Sequence, residues 1–234
     1  MIRLDISIIV IAILSLSVWS KPKCDSTFTK IIGNDTSTTK VNCREFDNSW
    51  EIERTLNSKL HGKYELYHPS GRMAQENNYL YGKQVGVRKG WTEDGFLALI
   101  EYYHQDLPVD THKLWFDNKE QKSITVYDSS GNKNGWCMNW YESGVLKDST
   151  LFSEGNKLEE YLFYESGKPM FKSRMRPDGY ILSSESYDPK GKRISSVKKG
   201  NGNVIVPNNW NSYDTLTVKD GKVMDPSYHF FKGR

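Results

Sequence analysis

The chain repeats itself about every 24 residues, and no other feature limits its fold so tightly. The segments YELYHPSGRM, KGWTEDGFLA, LWFDNKEQ, NWYESGVLKD, LFYESGKPMF and ESYDPKGKRI align on Gly71, Gly95, Lys119, Gly144, Gly167 and Gly191. The steps between these anchors are 24, 24, 25, 23 and 24. Four residues before each anchor stand Tyr67, Trp91, Trp115, Trp140, Phe163 and Tyr187. Aromatic residues make up 13% of the chain. A column filled throughout therefore arises by chance with a probability of roughly 10⁻⁴, even after every register is tried.

Other columns keep the same phase. Just before the anchors come Ser70, Asp94, Asn118, Ser143, Ser166 and Lys190, mostly residues that hydrogen-bond their own backbone in turns. Eight residues after the anchors come Tyr79, Tyr103, Tyr127 and Phe152, then Met175 and Lys199. Eleven after come Gly82, Asp106, Ser130, Gly155, Asp178 and Gly202, a second turn column. Each unit reads as a short strand, a turn, a longer strand and another turn. Gly dominates the first turn because a residue there needs positive φ without a Cβ penalty. Lys119 lacks that freedom, so its loop is expected to be distorted or longer. The expected fold is all-β: an elongated, twisted antiparallel meander of ~24-residue hairpin repeats, with about fourteen strands.

The register runs past the clear units. Asp47 and Ser58 lie 24 residues before Gly71 and Gly82, with Trp50, Ile52 and Leu56 alternating between them. Ile52, Leu56 and Leu60 also fit one face of a helix capped by Asn48 with Glu51, but the retained turn phase favours a strand. Val204–Val206 and Tyr213–Val218, joined through Pro207-Asn208-Asn209 and ended by Asp220-Gly221, read as a closing hairpin. The repeat domain therefore spans 45–221. A polar segment at 21–44, whose residues 21–40 read as a linker, precedes it. A tail at 222–234 without a recognisable pattern follows it.

Residues 1–20 have the form of a cleavable signal peptide. Ile6 to Val18 is an apolar stretch of thirteen residues, too short for a helix to cross a ~30 Å hydrocarbon layer at ~1.5 Å per residue. Val18 and Ser20 suit the small-residue cleavage site. The expectation is a secreted or periplasmic protein that begins at Lys21 and has no stable membrane insertion. Export makes disulfides permissible. Of Cys24, Cys43 and Cys137, the first two are the natural local pair, which leaves Cys137 as a small buried hydrophobe within a strand pattern.

These residues resemble the MORN-repeat family in its bacterial variant form. Tyr79-Leu80-Tyr81-Gly82-Lys83-Gln84-Val85-Gly86 is similar to that family's Y-x-x-G-K-x-x-G element, and Trp140-Tyr141-Glu142-Ser143-Gly144 to its aromatic-aromatic-x-x-G turn. Gly131 and Gly135 repeat the G-x-x-x-G spacing, whereas Asp106 to Asp110 lacks both glycines and Gly155 has no partner glycine. The resemblance covers residues 45–221 and implies consecutive β-hairpins in one long twisted sheet. It transfers no catalytic residues. Bacterial variants are often labelled antitoxin components, and other members act as scaffolds.

The chemistry-bearing residues form no catalytic constellation. His61, His68, His104, His112 and His229 show neither H-E-x-x-H nor metal-ligand spacing with a cysteine. No nucleophile elbow, P-loop or dinucleotide fingerprint occurs, and adjacent carboxylates such as Glu93-Asp94 and Glu159-Glu160 point to opposite faces of a strand. No catalytic, cofactor or metal residue is therefore assigned. The 32 basic and 29 acidic residues are dispersed and leave a net charge of +3, which excludes an electrostatic nucleic-acid binder as the first reading. The aromatic column reads as a structural spine in preference to an exposed platform, because a thin sheet with few aliphatics has little else to bury. This places partner-facing residues on the side opposite the column. The function expected is that of an exported, non-enzymatic binding or scaffold module for a protein or envelope polymer. The alternatives are an antitoxin-like or immunity-like inhibitor of a toxin and, less favoured, an envelope-polymer hydrolase.

Overall fold

The computed structural model describes residues 24–208 and 212–225. The expected signal segment and residues 226–234 of the tail lie outside them. Ser26–Ile32 (β1) and Asp35–Cys43 (β2) form the first hairpin, followed by Trp50–Leu56 (β3), Lys59–Leu60 (β4) and Gly62–Tyr67 (β5). The repeats then supply Met73–Leu80 (β6), Lys83–Trp91 (β7), Leu97–His104 (β8), Leu107–Trp115 (β9), Gln121–Tyr127 (β10) and Gly135–Trp140 (β11). They continue with Leu146–Ser153 (β12), Asn156–Phe163 (β13), Pro169–Met175 (β14), Ile181–Tyr187 (β15) and Arg193–Lys198 (β16). Asn201–Asn208 (β17), Ser212–Lys219 (β18) and Lys222–Val223 (β19) close the chain. All nineteen belong to one antiparallel meander, and no helix occurs among the described residues.

The all-β meander agrees with the repeat, but the strand count exceeds the expected fourteen. Two of the additional strands come from the stretch expected to be a linker, where Ser26 pairs with Val41 and Ile32 with Asp35. That stretch is polar, yet its threonines and isoleucines suit a pleated backbone. Two more are the short β4 and β19, the latter pairing Val223 with Val218. Residues 50–56 take the strand reading over the helical one.

All the anchor turns share one geometry. His68 N donates to Arg72 O at 2.8 Å and Gly71 N to His68 O at 2.8 Å, and the pattern recurs at Thr92, Phe116, Tyr141, Tyr164 and Asp188. Lys119 is no exception. Its φ is 72°, Phe116 N reaches Glu120 O at 2.9 Å, and the expected distortion is absent. The hairpin imposes the left-handed conformation on a residue that disfavours it. Its ammonium lies 3.4 Å from Asp94 and 5.5 Å from the Phe96 ring centroid.

The second glycine of the G-x-x-x-G spacing marks a bulge. Between the Glu76–Lys89 and Asn78–Val85 pairs, β7 carries two more residues than β6, with Gly86 at φ 70°. Asp110 holds φ 62° at the same place in β9, since Asp tolerates this region better than most residues. After Gly155 the bulge shrinks to one residue, and no left-handed residue is needed there.

Cross-strand partners in an antiparallel ladder share a face, and residues along a strand alternate. One ladder of partners runs unbroken from Val41 through Ile52, Glu65, Glu76, Lys89, Ile100, Lys113 and Ile124. It continues through Met138, Ser149, Tyr161, Lys172 and Glu185 to Ser196. The same face carries Trp50, Trp91, Trp115, Trp136 and Trp140, and is called the tryptophan face below. The reverse face carries Tyr79, Tyr103, Tyr127 and Phe152.

The sheet has two cores, one on each face. Val41, Trp50 and Tyr67, with Cys43, Ile52 and Met73 beside them, bury the tryptophan face near the amino end. Phe171, Met175, Ile181, Val197, Val204, Leu216 and Val218 bury the reverse face near the carboxyl end. A single layer cannot bring Val204 to 0% exposure; the sheet doubles over. Strand β17 keeps only the pairs Val197–Gly202 and Lys198–Asn201 with β16. It then crosses the reverse face, where Ile205 N donates to Ser195 Oγ at 3.1 Å and Ser186 Oγ at 3.3 Å. Gly202 makes the bend, because a Cβ there would lie 2.3 Å from Ser196 O.

Candidate functional site

With the reverse face closed over β14–β16, the tryptophan face of the same strands is left open. It forms a groove of about 260 Å³ whose side chains come from two ladders. One runs Tyr161–Lys172–Glu185–Ser196. The other continues from Trp136 and Leu151 through Glu159, Arg174 and Ser183 to Lys198. At about 4.8 Å per strand, the second ladder spans roughly 24 Å.

The floor consists of Ser183 and Ser196, both half-buried, and the walls of Lys172, Arg174, Lys198, Tyr161 and Glu185. Arg174 Nε lies 3.1 Å from Glu159, and Lys172 Nζ lies 3.8 Å from Glu185. Lys198 is exposed and has no ion-pair partner among the described residues. Hydrogen bonds from Tyr187 and Arg193 hold the Glu185 carboxyl below the usual range, so it is ionised at neutral pH. The Tyr161 hydroxyl donates to Glu159 Oε2 at 2.7 Å, which raises its own pKa. Trp136 is 40% exposed, and its ring centroid lies 5.9 Å from that of Tyr161.

The aromatic column occupies the tryptophan face throughout but is not uniformly buried. Tyr67 is buried and stacks on Trp50 with centroids 3.8 Å apart. Trp91, Trp115, Trp140, Phe163 and Tyr187 are half-buried. The column is tied from unit to unit: His68 Nε2 lies 2.9 Å from Trp91 O, Tyr141 Oη donates to Phe163 O at 2.8 Å, and Tyr164 Oη to Tyr187 O at 2.8 Å. Gly71, Gly95, Gly144, Gly167 and Gly191 all hold positive φ at the turns. The groove therefore shares the face of the column. In the carboxyl half β17 covers the opposite side, on which partner-facing residues are expected from the sequence.

Cys24 and Cys43 are joined, and Cys137 is free and buried, its thiol pushed up by burial. His112 is buried on the reverse face between the rings of Tyr103 and Tyr127, with Nε2 2.9 Å from Tyr102 O. His229 lies outside the described residues. No cluster of three or more metal-ligating side chains occurs among the described residues, and no helix there is long and apolar enough to cross a membrane.

The groove has its own signal in the sequence, separate from the aromatic column. Arg174 and Lys198, Lys172 and Ser196, and Tyr161 and Glu185 each stand 24 residues apart. At the positions equivalent to Lys172 and Ser196 two central units carry Ile100 and Ile124 instead, so the groove's polar run begins only with Ser149. No protein-family model matches the chain, and a search of curated proteins returns no match.

Proposed function

We propose that this chain is an exported, non-enzymatic β-repeat module of the MORN-variant type that binds a macromolecular partner along the tryptophan face of its carboxyl half. The observation that carries this reading is the polar groove set over a closed core. Behind it Phe171, Ile181 and Val197 are buried, while in front stand the cationic side chains of Lys172, Arg174 and Lys198 and the hydroxyls of Ser183 and Ser196. A surface of ladders spaced at strand intervals suits an extended partner rather than an enclosed small molecule. The signal-like segment at 1–20 supports a secreted or periplasmic setting.

The test is affinity capture from the envelope fraction of the native host, using the wild-type chain and a Lys172→Glu/Lys198→Glu double variant. The expected result is a macromolecular partner retained by the first and lost by the second. Retention by both, or measurable turnover of glycan or peptide substrates, contradicts the reading.

A further inference from the structure

We propose that the groove takes a carboxylated polysaccharide, its sugar rings lying along the ladder from Trp136 to Lys198; this rests on the binding role proposed above. A sugar unit presents apolar C–H faces, hydroxyls that donate and accept, and in an acidic polymer a carboxylate. The groove answers each in turn. Trp136 and Tyr161, with planes inclined at 42°, offer ring faces at one end. Ser183 and Ser196 place half-buried hydroxyls along the floor, and the ionised Glu185 accepts further hydroxyls. Lys198 has no ion-pair partner among the described residues, and Arg174, 65% exposed, pairs with Glu159 through Nε and lies beside the Tyr161 hydroxyl. A guanidinium exposed to that degree can still fork to a carboxylate.

The acidic side chains narrow the ligand class further. Each ladder sets one carboxylate directly beside a cation, Glu159 next to Arg174 and Glu185 next to Lys172, so a polymer with dense, unbroken negative charge meets repulsion in both. A polymer whose carboxylates alternate with neutral hydroxyls does not. Strands β14 and β15 are paired on both sides, so the centre of the groove has no exposed edge of the kind an extended peptide needs for backbone pairing. The volume, about 260 Å³, is below that of a pocket enclosing a whole drug-sized ligand, about 300–1,000 Å³, and suits a segment of a longer chain.

Isothermal titration with an oligogalacturonate hexamer tests this, with maltohexaose, hexaglutamate and inorganic polyphosphate as comparators. The expected result is binding of oligogalacturonate alone. The Arg174→Ala/Lys198→Ala variant should weaken it by about tenfold or more, and Trp136→Ala by about fivefold, with melting temperatures unchanged. Lys198→Met, which keeps most of the aliphatic length and removes only the charge, should lose affinity as well. Equal binding of polyphosphate or hexaglutamate overturns the glycan assignment in favour of charge alone, and oligogalacturonate binding indifferent to these variants overturns the location. If none of the probes binds while the groove-dependent partner is still captured from the envelope, the ligand class is wrong and the binding role stands. If that capture also fails, the binding role falls with it.

Discussion

At the amino end the sheet buries its tryptophan face, with Trp50 stacked on Tyr67 and the Cys24–Cys43 bridge alongside. At the carboxyl end it buries the opposite face, and the cover is its own last hairpin. The first solution needs few aliphatic side chains: two stacked rings, one valine and a covalent staple hold strands whose outer hairpin exposes Phe28 and Ile31. The second assembles a dry cluster around Phe171, Ile181, Val197 and Val204, each at 1% exposure or less. A one-layer sheet cannot exclude water from either face by itself. Each end must add a cover, and the choice of face decides which surface remains for a partner.

The largest expected effect is at the closed end. Phe171→Ala should cost about 3–5 kcal/mol, the range for a fully buried aromatic, measured by denaturant unfolding. Removing the staple by Cys24→Ser/Cys43→Ser should cost about 3 kcal/mol in loop constraint. That loss should be local, seen as faster amide exchange in β1 and β2 with β14–β18 unchanged. If the carboxyl strands exchange faster too, the two ends are one cooperative unit and the contrast fails.

Between the ends, Trp115 is half-buried against Phe96 with centroids 6.5 Å apart. Trp115→Ala should therefore cost about 2 kcal/mol, less than Phe171→Ala. An equal loss would show that the open spine is as well packed as the closed core. Lys119→Gly should stabilise the protein by about 0.5 kcal/mol, since relief of the left-handed backbone outweighs the entropy of glycine and the lost contacts to Asp94 and Phe96. A lower melting temperature for this variant would show those contacts to be the stronger term.

The smallest effect separates the ends by pH. Burial pushes the Glu51 carboxyl up, but hydrogen bonds from Tyr64 and Arg44 and the charge of Arg44 together bring it below its ordinary value. Its contribution is present above about pH 4.3, the unfolded value, and is lost as pH falls through the lowered folded one. Glu160, on the reverse face of β13, is raised by burial despite Lys157 Nζ at 2.6 Å. Its contribution is complete below about pH 4.3 and is lost as pH rises through the raised value. Acidification should loosen β2–β5 while β12–β14 hold, read by amide exchange corrected for intrinsic rate. The opposite order would reverse both assignments.

Repetition made the hairpin units, their turns and the aromatic column legible in the sequence, because each signal recurs in phase. What recurs only once stayed hidden. Gly202 occupies an ordinary turn position of the repeat, and nothing local distinguishes it from Gly82 or Gly155. Its role comes from the backbone of Ser196 beneath it, a tertiary fact. Residues 21–40 read as linker because they are polar, yet the pairing of β1 with β2 across Gly33 uses backbone shape rather than hydrophobicity. Lys119 reads as a defect by its own propensity, but the hairpin overrides that propensity. The groove was invisible as a cluster since Tyr161, Arg174 and Lys198 lie on separate strands and meet only when the ladder is drawn.

The central claim, that the two ends bury opposite faces and so leave the groove open, is tested most directly by hydroxyl-radical footprinting of the intact protein at single-residue resolution. The account predicts slow labelling of Trp50 and Tyr67 on the tryptophan face and of Phe171 and Met175 on the reverse. Trp136 and Tyr161 should label fast, out of proportion to their distance along the chain from Phe171. Labelling of Phe171 and Met175 as fast as Trp136 would contradict it, because the carboxyl hairpin would then not cover the reverse face.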